Sequence, residues 1–152
     1  MPTIRGPWNQ TELSAFLTEA TIPIRIATQR PDGTLWIVTL WFRYSNGDLL
    51  CATEASADIV RFLTDNPSVA FDISTNQPPY RGVRGTGTVS LSADPDKETL
   101  RQLIRRYLGT TDSPLAQWLL NDERNEIRIQ IAPTDLYTWD YRERMRQTEK
   151  SA

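Results

Sequence analysis

The sequence predicts an α+β domain: a mainly antiparallel sheet of about six strands or more, flanked by helices and curled toward a barrel. Three observations lead there. The order of elements read from hydrophobic period is α β β β α β β α α β β, without the regular βαβ alternation of a parallel sheet. The strand segments are short and rich in β-branched and aromatic residues, and turn residues separate them. A sheet of that kind leaves two edges, and curling protects them.

The elements follow in order. "NQTELSAFLTEA" places Leu13, Phe16, Leu17 and Ala20 on one helical stripe, and Asn9 with Glu12 has the spacing of a capping box. "IPIRIATQR" is a strand and "RPDG" a turn, with Pro31 presetting φ. "TLWIVTLWFRY" is apolar at alternate and intervening positions, the pattern of a strand buried on both faces. Asn46-Gly47 marks a hairpin, and "LLCAT" is the returning strand. In "CATEASADIVRFLTDNP" a helix opens near Ser56 and stops at Asn66-Pro67. "NPSVAFDIST" and "VRGTGTVSLSA" are strands joined by the loop "NQPPYRG". "DPDKETLRQLIRRYLG" is a helix with Asp94 as cap, Pro95 at its first position and Gly109 as stop. "SPLAQWLLN" is a short helix capped by Ser113. "NEIRIQIAP" alternates with Ile127, Ile129 and Ile131 on one face, and "TDLYTWDY" is the last strand. No internal repeat or flexible linker divides the chain. It reads as one domain over 1–145 with a charged tail, expected to fray, over 146–152.

Composition excludes several functions. Net charge is −2, which gives no general attraction for nucleic acid or an anionic membrane. No apolar run is long enough to span a bilayer, and the first residues lack the apolar core of a secretory signal. The one cysteine, Cys51, permits no internal disulfide, so a cytoplasmic location is expected. There is no histidine. That removes the usual base at neutral pH, the serine–histidine and cysteine–histidine pairs, and histidine-containing zinc sites. No catalytic side chain and no metal site is assigned. An enzyme built from these residues needs a cofactor for its chemistry.

Most candidate motifs have a plain structural reading. Gly82, Gly85 and Gly87 lie inside a strand with the wrong spacing for a dinucleotide loop, so close packing or a bulge is expected. Asp94 and Asp96 open a helix, where acids are favoured. Arg101, Arg105 and Arg106 read as the solvated face of one helix. Cys51 reads as core. The aromatics are the exception: Trp36, Trp41, Phe42 and Tyr44 crowd one segment, and Tyr137, Trp139 and Tyr141 another. Beside Arg25, Arg43 and Arg84 such residues could hold a flat aromatic anion as well as pack a core.

Four segments in order resemble the pyridoxamine 5′-phosphate oxidase-like, FMN-binding split barrels: "PIRIATQRPDGTLWIVTLWF", "CATEASADIVRFLTDNPSVAF", "RGVRGTGTVSL" and "LYTWDYRERM". The last is similar to the closing strand of a branch that includes deazaflavin-dependent reductases. The resemblance implies a split β-barrel homodimer with a flavin at the subunit interface. It implies that Arg25, Ile26, Ala27 and Thr28 line the ring and phosphate, and that Val38, Thr39, Leu40 and Trp41 flank them. Thr53, Ser56 and Ala57, with Asp58 beside them, would meet the phosphate, Arg84 would sit near the ring, and Trp139 would come from the partner. The chain departs from its relatives at one place: Asp58 and Ile59 stand where they carry Arg or Lys. At about 5 Å and an effective dielectric near 20, each pair of like unit charges costs roughly 3 kcal/mol.

The resulting expectation is an FMN-dependent oxidoreductase passing hydride to or from a small planar substrate. A deazaflavin coenzyme in place of FMN is the first alternative. A non-catalytic flavin or haem carrier is the second. Oxidation of pyridoxamine 5′-phosphate itself is disfavoured, because no second basic cluster is present for a second phosphate.

Overall fold

A computed structural model describes residues 1–151, with side chains described through Arg146. The chain runs β1 (Thr3–Arg5), α1 (Gln10–Glu19), β2 (Ile24–Gln29), β3 (Leu35–Leu40), β4 (Arg43–Ser45), β5 (Asp48–Glu54), α2 (Asp58–Asp65), β6 (Ser68–Ser74), β7 (Arg81–Ala93), α3 (Glu98–Leu108), α4 (Pro114–Leu119), β8 (Glu126–Asp140) and α5 (Arg142–Ser151). The strands form one eight-stranded sheet in the order β3-β2-β6-β7-β8-β5-β4, and β1 adds to β8 in parallel. All other pairings are antiparallel. The sheet does not close: β3 and β4 remain its edges.

Several elements form for the reasons their residues suggest. Asn9 Oδ1 accepts the Glu12 N–H at 2.9 Å, and Glu12 Oε1 accepts the Asn9 N–H at 3.1 Å, which completes the capping box of α1. Ser113 caps α4, with Pro114 at its first position. Gly109 closes α3 at φ 76°, a left-handed conformation that glycine adopts without strain. The Asn46-Gly47 turn joins β4 to β5 with both residues at positive φ.

Other elements differ from the sequence reading. "TLWIVTLWFRY" is not one doubly buried strand. It breaks into β3 and β4, and Leu35 and Ile37 on the β3 edge are 75% and 68% exposed. Two apolar faces mark a strand that something covers; Val38 and Leu40 pack against the core, and among the described residues nothing covers the Leu35 and Ile37 face. Asp94 does cap α3, but from a turn upstream: its carboxylate accepts the Glu98 and Thr99 N–H groups at 3.2 and 2.9 Å. Pro95 therefore lies in the turn, and Lys97 at φ 56° precedes the helix. The last two expected strands are one, β8, running through Pro133. The proline sits at a bulge: Thr86 pairs with Asp135 and Gly87 with Pro133, which leaves Thr134 of β8 as the extra residue. The charged end, expected to fray, forms α5. Arg106 does not merely face solvent: it donates to the Thr18, Leu17 and Ala20 carbonyls at the end of α1.

The core fills the concave side of the sheet. Ile24 and Ile26 of β2, Cys51 of β5, Ile73 of β6 and Ile129 and Ile131 of β8 are fully buried against Leu13, Phe16 and Leu17 of α1. Burial pushes the Cys51 thiol up to about 12. A smaller cluster of Leu100, Ile104 and Ala116 lies under α3 and α4. No helix among the described residues is long and apolar enough to cross a membrane.

Asp140 ties the two ends of the chain together. It accepts Arg142 Nη2 at 2.6 Å and Trp8 Nε1 at 3.2 Å. The Arg142 hydrogen bond, followed by weaker contributions that include Trp8, holds its carboxyl down to about 2. A depressed carboxyl stabilises the fold above its unfolded value near 3.9 and loses that contribution as pH falls toward 2. Asp140→Asn is therefore expected to flatten the loss of stability between pH 4 and about 2, as read by urea unfolding at pH 5 and 2.5. An unchanged pH slope would remove Asp140 from this role.

Candidate functional site

One row of side chains crosses the convex face of the sheet. Cross-strand register places Thr39 opposite Arg25, Arg25 opposite Asp72, Asp72 opposite Arg84, and Arg84 opposite Tyr137. Residues directly opposite in a ladder share a face, so the row carries two arginines and one aspartate. Asp72 accepts from Ser74 Oγ at 2.8 Å and forms no ion pair with either arginine within 4 Å. The next row is small: Ala27 lies opposite Ala70, and Ala70 opposite Thr86. The result is a shallow ledge of about 510 Å³, floored by Ala27, Ala70 and Gly85, walled by Ile37, and bounded by Arg25, Arg84 and Tyr137. Arg84 lies over the Trp139 ring at 4.9 Å, and Arg5 over Tyr137 at 5.4 Å with a 2.7 Å hydrogen bond to its hydroxyl. A floor of small side chains beside a net positive row suits a flat, anionic ring.

Two glycines of β7 allow close strand packing beneath the ledge, and at Gly85 a side chain would point toward Phe71 and Leu136 in the core. A Cβ on Gly85 would lie 2.3 Å from the Asp135 carbonyl oxygen, and one on Gly82 would lie 2.5 Å from that of Ile73. Close strand packing and the adjacent bulge account for these positions, as their place in the sequence suggests.

The residues expected at the cofactor are not all brought together. Arg25, Ala27 and Arg84 line the ledge. Ile26 is fully buried on the opposite face of β2, and Thr28 is also inward, its hydroxyl without a protein partner. Val38 packs against the core. Thr39, Leu40, Trp41 and Thr53 line a second cavity, below α3 and α4. Asp58 lines a third groove with Arg30, Trp36 and Arg61. Trp139 stands beside Arg84. Tyr137 stands beside Arg25 and Arg84, as its place among the aromatics suggests, whereas Ile37, Ala70 and Asp72 were not expected on the ledge. A row of alanines in paired strands was the available sign.

The turn before α2 is filled from within. Ser56 donates both its N–H, at 2.6 Å, and its hydroxyl to Glu54 Oε2. These two hydrogen bonds hold the Glu54 carboxyl below its ordinary value. Ala57 caps the helix with no side-chain hydrogen bond. Asp58 is exposed and lies 3.5 Å from Arg61 one turn on. The Ser56 donors at this turn already hold a carboxylate, the Ala57 N–H holds the Glu54 carbonyl, and Asp58 adds a second negative charge. The residues present fit a flat anionic ring on the ledge. They do not fit a phosphate at the start of α2.

No family model matches the sequence, and no curated protein matches it. Solved structures do. A structure named F420 reductase is 27% identical over 79% of this chain and 92% of its own, with a TM-score of 0.68. A conserved hypothetical protein from Mycobacterium tuberculosis is 22% identical over 90% of this chain and 87% of its own, with a TM-score of 0.72. A protein from Listeria innocua described as a pyridoxamine 5′-phosphate oxidase is 16% identical over 82% of this chain and 92% of its own, with a TM-score of 0.60. The chain shares the split-barrel α+β fold of these structures.

Proposed function

We propose that this split-barrel chain is an oxidoreductase that uses a deazaflavin coenzyme, works as a homodimer and acts on a small planar substrate in the cytoplasm. The observation that carries the reading is the paired arrangement of Arg25 and Arg84 over a floor of alanine and glycine. One further observation supports the deazaflavin over FMN: the structure named F420 reductase is 27% identical to this chain.

A bound deazaflavin supplies the hydride acceptor or donor. The protein's part is to hold the ring flat against Ala27 and Ala70 and to offset negative charge on it with Arg25 and Arg84. With no histidine in the chain, no imidazole serves as proton donor or acceptor alongside the hydride.

Titration with reduced and oxidised F420, and separately with FMN, tests this. F420 is expected to bind at least about tenfold tighter than FMN, a difference of roughly 1.4 kcal/mol. Equal or tighter FMN binding would overturn the deazaflavin reading. Asp58→Arg removes a repulsion and adds an attraction, so FMN affinity should rise about tenfold and the gain should shrink as salt increases. A variant that is only less stable, with FMN affinity unchanged, would mean that Asp58 serves the helix dipole alone.

The homodimer reading rests on Leu35 and Ile37, which are exposed on the β3 edge beside the ledge. A second copy of the chain covers them and closes the ledge. Light scattering should give twice the 17.4 kDa chain mass, and Ile37→Glu should shift it to the monomer and weaken F420 binding with it. A wild-type monomer at micromolar concentration would defeat this.

A further inference from the structure

The second cavity, of about 460 Å³, adjoins the ledge. Arg25 and Thr39 are cross-strand partners on one face, yet Arg25 lines the ledge and Thr39 lines this cavity. One residue pair separates the two. The inner walls are aliphatic, from Leu100 and Leu103 of α3 and Leu115 and Leu119 of α4, over Ala52 and Trp41. Trp41 is held by stacking on Tyr107, with ring centroids 5.1 Å apart. Thr53, at 9% exposure, lines the cavity, and its hydroxyl makes no protein hydrogen bond among the described residues.

Arg124 is the one charged side chain in the lining. Its Nε donates to Glu126 Oε1 at 2.8 Å, and its guanidinium lies over the Trp118 ring at 5.6 Å. Lys97 Nζ donates to the Asn121 and Arg124 carbonyls at 2.5 and 2.9 Å, which fixes the loop that carries the arginine. Both Nη groups are without a protein hydrogen bond among the described residues. An oriented guanidinium with two unused donors matches a carboxylate. The aliphatic walls disfavour charge anywhere else in the cavity.

We propose that this cavity takes the apolar, carboxylate-bearing part of the substrate, while the reacting part of the same molecule reaches the ledge. The carboxylate meets Arg124, the apolar body lies between α3 and α4, and the molecule crosses the Arg25–Thr39 pair. The substrate role rests on the reading of the ledge as the coenzyme site; the cavity's preference for an apolar carboxylate does not.

The test is a methyl NMR titration of the full chain with 4-butylbenzoate, 4-butylbenzamide and 4-butylbenzylamine. The benzoate should saturably shift the methyls of Leu100, Leu103, Leu115 and Leu119 and bind at least tenfold tighter than the amide; the amine should not bind. Leu115 is half exposed at the rim, so Leu115→Glu is compatible with folding. It should weaken the benzoate about tenfold and leave the amide within twofold. Equal affinities for benzoate and amide, or no shift at the leucines, would overturn the proposal. Titration with F420, read at the Ala27 and Ala70 methyls, separates the two readings. F420 that leaves those methyls unmoved defeats the ledge reading and the substrate role with it, whereas failure of the benzoate at the leucines defeats the cavity alone.

Discussion

Gly85→Val is expected to unfold the domain. Even an alanine Cβ at this position would lie 2.3 Å from the Asp135 carbonyl oxygen and 2.9 Å from Phe71 Cζ. The carbonyl belongs to β8, and moving it disrupts the β7–β8 ladder, which pairs residues from Arg81 through Ala93. Overpacking a core costs about 1–3 kcal/mol or more where side chains can give way. Here a backbone must give way, and Gly85→Ala should cost at least about 3 kcal/mol. At roughly 2–4 °C per kcal/mol for a chain of this size, that lowers the melting temperature by about 6–12 °C. Valine adds two more carbons, and the cost approaches the whole stability of a typical domain, about 5–15 kcal/mol. Thermal melts of Gly85→Ala and of Thr86→Ala, whose exposed side chain meets no such contact, make the comparison. A Gly85→Ala protein that melts within about 1 °C of wild type would show that β8 can yield.

Arg25→Ala is expected to weaken coenzyme binding about ten- to hundredfold with little loss of fold. Arg25 lies on the convex face of β2, in the row with Asp72 and Arg84. It forms no ion pair within 4 Å that its loss would leave unbalanced. A charge-assisted contact to an anionic ring is worth roughly 1.5–3 kcal/mol, which sets the size of the effect. Because the residue is partly exposed, truncation should leave the melting temperature almost unchanged. Arg25→Lys should recover only part of the affinity, since an ammonium restores charge without the planar fork. Calorimetric titration with F420 reads all three proteins. Wild-type affinity in Arg25→Ala would take the residue out of the site, and the ledge would then rest on Arg84 alone.

Much of the fold is legible in the sequence because its cues are local. Asn9 with Glu12, Ser113 with Pro114, Asn46-Gly47 and Gly109 each act within a few residues, and each is found in the role its chemistry suggests. Cys51, Ile129 and Ile131 are buried as their patterns indicate, and Ile127 is half-buried. Three elements were not legible. Lys97 adopts a positive φ that no local residue requires. Pro133 is accommodated by a bulge at Thr134 in its own strand. β1 is three residues long and is held only by its pairing with β8.

The site divides in the same way. Sequence by itself determined the residue types: no histidine for a protein base, one thiol, arginines among aromatics, and an acid at position 58. Tertiary structure alone decided which of these meet. Strand pairing put Asp72 between Arg25 and Arg84 and brought Ala70 beside Ala27, from segments more than forty residues apart in the chain. The two-residue period of β2 sent Ile26 into the core while its neighbours faced outward. The curl of the sheet and the helices over it assigned Thr39 and Thr53 to a second cavity rather than the first. The Glu54 carboxylate closed on Ser56 because the turn between β5 and α2 brings a side chain back onto its own backbone. Residue type is a property of one position. A binding site is a property of several distant ones, and register, face and closure are set only when the whole sheet assembles.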